Sequence, residues 1–186
     1  MATHLIQTIQ ETLGYAPLHK ISPNSQETRE KWHQTVGENL AQAALPAVLT
    51  GIFKFTRNHE NCQSLLQSGT NEDWLHILYD GREKQAVEKV ANYAGAGADE
   101  TERHMENIAD EAISEIKKRL GDNATPDNVK DLLNGERHDI LAHLPAALQL
   151  GTVLKDETLD DRTNKMEGPV SNIMHKIGNT LSGSDE

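Results

Sequence analysis

Cysteine is almost missing from this chain: the lone Cys62 cannot close an internal disulfide, which excludes a disulfide-stapled scaffold and suits a reducing, cytoplasmic compartment. Aromatic residues are also scarce, at 4%, and β-branched residues are thinly spread. The material of a β-sheet is therefore lacking. Residues 1–20 carry no cationic start, apolar run and small-residue cleavage site in succession, so no secretory leader is expected there. No apolar run reaches the ~20 residues that span a bilayer, and no stable membrane span is expected. Positive charge is the last shortage. Eighteen Lys and Arg stand against 29 Asp and Glu, for a formal charge of −11, and basic side chains adjoin one another only at residues 117–119. Nucleic acid needs clustered Lys and Arg for counterion release, so nucleic acid and anionic membranes are disfavoured as partners.

What is abundant is Ala, Leu, Gln, Glu and Asn, a helix-forming mixture. In a chain one quarter charged, residues 39–53 and 140–154 hold no Asp, Glu, Lys or Arg at all; each run is 15 residues long, contains Leu-Pro-Ala and is followed by a lysine. Solvated helices are striped with charge, so these runs must pack against protein. They are the expected core.

Helical spacing recurs along most of the chain. Leu5, Ile6, Ile9 and Leu13 form a first stripe ended by Gly14, and a second helix is expected from about Ser25, with Trp32, Val36, Leu40 and Ala43 inward. That helix meets Pro46, which lacks the amide for the i−4 bond, so a bend or a break near Ala44 is expected. Asn58 is placed to cap a helix ending near Gly69. Further short helices are expected over residues 72–79 and 82–93. Met105, Ile108, Ala109, Ala112, Ile113, Ile116 and Leu120 make the cleanest stripe, and Thr125-Pro126 opens another helix that Asn134-Gly135 should close. Val170, Ile173, Met174, Ile177 and Leu181 form the last. The expectation is an all-α fold, an irregular bundle of eight to ten helices. The glycine-containing segment 94–98 separates an N-terminal half (1–94) from a C-terminal half (95–181) packed into the same domain, with 182–186 as a frayed tail.

At an offset of 99, Ala43, Leu45, Pro46, Ala47 and Leu49 match Ala142, Leu144, Pro145, Ala146 and Leu148. Such a match is compatible with a pseudo-duplication and with coincidence in an Ala- and Leu-rich chain. A true repeat would bring two proline-bent helices together near a pseudo-twofold axis. The segments Leu-Pro-Ala-Val-Leu-Thr-Gly-Ile-Phe (45–53) and Leu-Pro-Ala-Ala-Leu-Gln-Leu-Gly (144–151) resemble the YidB-like family of bacterial helical proteins of unknown function. The resemblance covers about a tenth of the chain. It implies a helical fold and carries over no catalytic residue.

Nine histidines make metal binding the first chemistry to weigh. A helical metal site uses ligands three or four residues apart on one face, and Glu30 with His33, and Glu100 with His104, have that spacing; solvated helix faces are the plainer account of them. His59 and Cys62 share a face but lack two further zinc ligands. His143, inside the second neutral run, suits a core histidine bonded to a backbone carbonyl. No serine elbow, Cys-His signature or phosphate loop after a strand is present, so no catalytic residue and no cofactor is assigned. The functional expectation is a non-catalytic, oligomeric or protein-binding module, with Leu45, Pro46, Leu49, Leu144, Pro145 and Leu148 as its interaction residues near the proline bends. The alternative is a metal-binding protein or enzyme using Glu30, His33, Glu100 and His104. Reversible insertion of the paired neutral runs into a membrane is a third, weaker idea.

Overall fold

The computed structural model describes residues 3–21, 35–69 and 72–159. Its α-helices are α1 (Leu5–Thr12), α2 (Val36–Phe55), α3 (His59–Gln67), α4 (Trp74–Tyr79), α5 (Glu83–Ala94), α6 (Ala98–Leu120), α7 (Pro126–His143) and α8 (Leu150–Leu154). Two 3-10 turns, Ala146–Leu148 and Glu157–Leu159, follow α7 and α8, and no strand occurs among the described residues. The fold is all-α, a multi-helix bundle.

Helix α2 is the axis of the bundle and packs against α1, α4, α5, α6, α7 and α8. Its start is set by a capping box: the Thr35 hydroxyl accepts from the Glu38 amide while the Glu38 carboxylate accepts from the Thr35 amide at 2.7 Å. Every residue from Asn39 to Phe53 is buried. The first charge-free run and the buried part of the central helix are the same 15 residues, because a helix enclosed on all sides has no face on which a charge could be solvated.

Pro46 does not end this helix, which runs unbroken from Val36 to Phe55. The expected break is absent because neighbours on every side hold the segment helical, and that packing outweighs the ~3 kcal/mol a proline costs in a helix interior. Pro145 behaves differently. Leu144 before it is extended, at φ −75° and ψ 120°, and ends α7, as the residue preceding a proline tends to do. The second neutral run is thus divided among the end of α7, a 3-10 turn and α8. The two Leu-Pro-Ala segments fold differently, and the pair of proline-bent helices that a true repeat would bring together does not form.

Two other boundaries follow from local chemistry. Thr125 and Asn128 cap each other reciprocally at the start of α7, with Pro126 in its first turn. The helix then continues through Asn134-Gly135 to His143, past the expected stop. Val129, Leu133, Ile140 and Leu141 are buried along it, and that burial outweighs the ~1 kcal/mol cost of an internal glycine. Between α4 and α5, Asp80 and Gly81 both take left-handed backbone, at φ +53° and +73°, and turn the chain sharply.

One hydrophobic cluster joins Leu5 and Ile9 of α1, the α2 residues, Val87 and Val90 of α5, the α6 stripe and Leu148 to Leu154. It contains residues from both sides of segment 94–98. The last expected helix, 170–181, the tail 182–186 and the start of the second helix, with Trp32, lie outside the described residues.

Candidate functional site

Leu45, Leu49 and Leu148 are at most 1% exposed, and Pro46 and Pro145 are buried as well. Only Leu144 is half-buried. These six residues were expected to contact a partner; five of them are packed inside this chain's own bundle, and Leu144 is partly open. Among the described residues Val36 is the one large hydrophobic side chain that is exposed.

The metal-site residues fare no better as a group. Glu30 and His33 lie outside the described residues. Glu100 is exposed near the start of α6, and His104 one turn on is half-buried with its Nδ1 3.2 Å from the Tyr15 hydroxyl. No group of three or more His, Cys, Asp or Glu side chains able to hold a metal forms among the described residues. Cys62 is buried and its thiol donates to the Thr56 carbonyl at 2.9 Å, while His59 stands 3.7 Å from Asp127. Burial pushes the Cys62 thiol pKa upward, away from the reactive thiolate. His143 is buried with its Nδ1 2.8 Å from the Asp139 carbonyl. A carbonyl only accepts, so that nitrogen carries the proton.

A cleft of about 740 Å³ lies between the end of α1, the α3–α4 connection and one side of α6. Tyr15, Trp74 and Ile113 are among the residues that line it, with Tyr15 half-buried and Trp74 5% exposed. The facing side of α6 supplies His104, Asn107, Asp110, Glu111, Ser114 and Lys117, a polar line at helical spacing beside the buried stripe. The Tyr15 ring is tilted 36° to the His104 ring, with centroids 6.2 Å apart, which ties the segment after α1 to α6.

Charge in and around this cleft is mostly negative. Partial burial raises the Asp110 pKa; the same cause, reinforced by Glu102, Asp73 and Asp110, raises that of Glu106. These carboxylates crowd one another. Lys117, the cation in the cleft, is already engaged: its ammonium donates to the Ser68 carbonyl and hydroxyl, both at 2.7 Å. Its pKa is lowered by desolvation, against the opposing pull of Glu72.

The basic run 117–119 that stands out in the sequence is dispersed in the fold. Lys118 and Arg119 both bind Glu115, at 3.3 and 2.9 Å, and Arg119 also lies 3.6 Å from Glu136. The cleft itself left a faint trace in the sequence, a polar line along the cleanest helix, but the Tyr15 and Trp74 that line it come from distant segments.

No helix of the described residues is long and apolar enough to cross a membrane. Comparison with protein-family models, with curated proteins and with solved structures finds no match for the chain.

Proposed function

We propose that this chain is a non-catalytic protein-binding module that receives a basic peptide segment of its partner in the cleft between α1 and α6. The observation that carries the reading is the union of aromatic lining residues with an acidic helix face in one cleft. Lysine and arginine side chains suit both features, since their aliphatic stems lie on aromatic rings while their charged heads reach carboxylates. A cation entering there meets the carboxylates of Asp110 and Glu111. The net charge of −11 favours approach of a basic partner at long range. With the apolar residues internal, recognition at a polar, acidic cleft replaces the apolar contact expected from the proline segments.

The test is a titration of isotope-labelled protein with tetralysine and, separately, tetraglutamate, following the Trp74 indole and Asn107 side-chain amide signals. Tetralysine is expected to shift both signals saturably and tetraglutamate neither. Asp110→Asn combined with Glu111→Gln should weaken the lysine peptide roughly tenfold, the loss of about 1.4 kcal/mol. Shifts absent with both peptides, or equal with both, overturn the reading.

A further inference from the structure

Lys54 and Lys155 are the first charged residues after the two neutral runs, and the fold brings both to one cleft of about 480 Å³, together with Arg57 and Arg82. Four cations therefore converge in a strongly acidic chain, from the end of α2, the α2–α3 connection, the start of α5 and the end of α8. Only Asp80 among the lining residues is acidic.

The cations are unevenly neutralised. Arg57 is paired with the buried Asp156, and Arg82 has a loose contact, 3.6 Å, with Asp80, whose side chain is 85% exposed. The Arg82 Nε is buried with no hydrogen-bond partner, a position that ordinarily demands an acceptor. Neither Lys54 nor Lys155 makes an ion pair among the described residues, although Lys54 is near enough to Asp156 to help lower its pKa. Backbone geometry at the rim is unusual as well. Lys155 and Asp80 both adopt left-handed conformations, φ +51° and +53°, which residues with a β-carbon take at a cost and which concentrate at binding sites. Beside the cations, Phe55 and Ile77 present half-buried apolar surface to the same cleft.

We propose that this cleft binds a small phosphate-bearing molecule, with the phosphate held by Lys54, Lys155 and Arg82 and its carbon skeleton against Phe55 and Ile77. A phosphate adds negative charge where the two lysines make no ion pair and Arg82 has only its loose contact with Asp80. The site is separate from the α1–α6 cleft and does not depend on the function proposed for it. The same cations could receive either free phosphate or a phosphate ester; the apolar wall selects the ester.

Isothermal titration of the full chain with inorganic phosphate and with phenyl phosphate, at matched ionic strength, tests this. Phenyl phosphate is expected to bind saturably with one site per chain, roughly tenfold tighter than inorganic phosphate. Lys54→Gln and Lys155→Gln should each weaken it roughly tenfold. Lys155 is exposed and Lys54 half-buried, so both variants should keep the helical circular dichroism and unfolding midpoint of the parent. Equal affinity for the two probes overturns the apolar half of the proposal. No saturable binding of either probe, or affinity that both lysine variants leave intact, overturns it entirely.

Discussion

The side-chain amide of Gln42, in the middle of α2, donates to the backbone carbonyl of His143 at 3.0 Å, where α7 ends. The same amide donates to the His19 carbonyl at 3.1 Å, and its oxygen accepts from the His19 amide at 2.8 Å. One glutamine, 3% exposed, thus binds three backbone groups on two other segments. It explains how a polar residue stands inside the most buried helix: every polar atom it brings is satisfied.

Gln42→Ala should therefore strand the buried His143 carbonyl and leave the part-buried His19 groups to water, destabilising the fold by ~1–3 kcal/mol, the cost of one unsatisfied buried group. Gln42→Glu at neutral pH should cost at least as much, because a carboxylate cannot donate to either carbonyl. Urea unfolding midpoints check both. A Gln42→Ala midpoint equal to the parent's would mean that these bonds are replaced by water.

Leu45→Ala and Leu49→Ala should each destabilise by ~2–5 kcal/mol, the range for emptying a packed leucine site. Neither variant should alter binding at the α1–α6 cleft at temperatures where it is still folded. Reduced partner binding without loss of stability would restore these leucines as contact residues.

Gly51→Ala should stabilise the protein. A β-carbon there would sit 3.5 Å from Leu78 and Tyr79 atoms, ordinary van der Waals distance, while alanine is favoured over glycine by ~0.5–1 kcal/mol in a helix interior. Thermal melting measures the sign. A fall in midpoint would show that α2 and α4 approach too tightly for a methyl group.

Acid should destabilise this fold through Glu115, Asp139 and Asp156. Burial alone would raise their pKa values, but it is outweighed: for Glu115 by Arg119 and Lys118, for Asp139 by Lys20 and His143, for Asp156 by Thr158 and Arg57. All three are held below the usual carboxylate range. Their stabilisation is complete above the unfolded-state values and is lost as pH falls through the depressed folded-state ones, so the urea midpoint should drop between about pH 5 and pH 2. Glu106 and Asp110, whose pKa values are raised, act in the opposite sense and recover stability as they protonate. Asp156→Asn should make the acid loss shallower. An unchanged midpoint across that interval would contradict the assignment.

Much of the fold was legible residue by residue. Asn58 as a cap, the Met105 to Ile116 stripe and Gly14 at the end of α1 are local signals, decided within one or two turns of chain. The proline at 46 was misread for an equally physical reason. Its cost is local, whereas the packing that overrides it comes from six other helices.

The sequence by itself determined that this chain is helical and that residues 39–53 lie inside it, since helical periodicity and the absence of charge act on the chain wherever it goes. Only the tertiary structure decided which surfaces remain: it enclosed the first proline segment, tied Lys117 to Ser68 and Lys118 and Arg119 to Glu115, and gathered Lys54, Arg57, Arg82 and Lys155 around one cleft. Charges far apart along a chain have no local pattern to announce their meeting; their distance is set by how helices cross, and helix crossing is settled by the packing of the whole core.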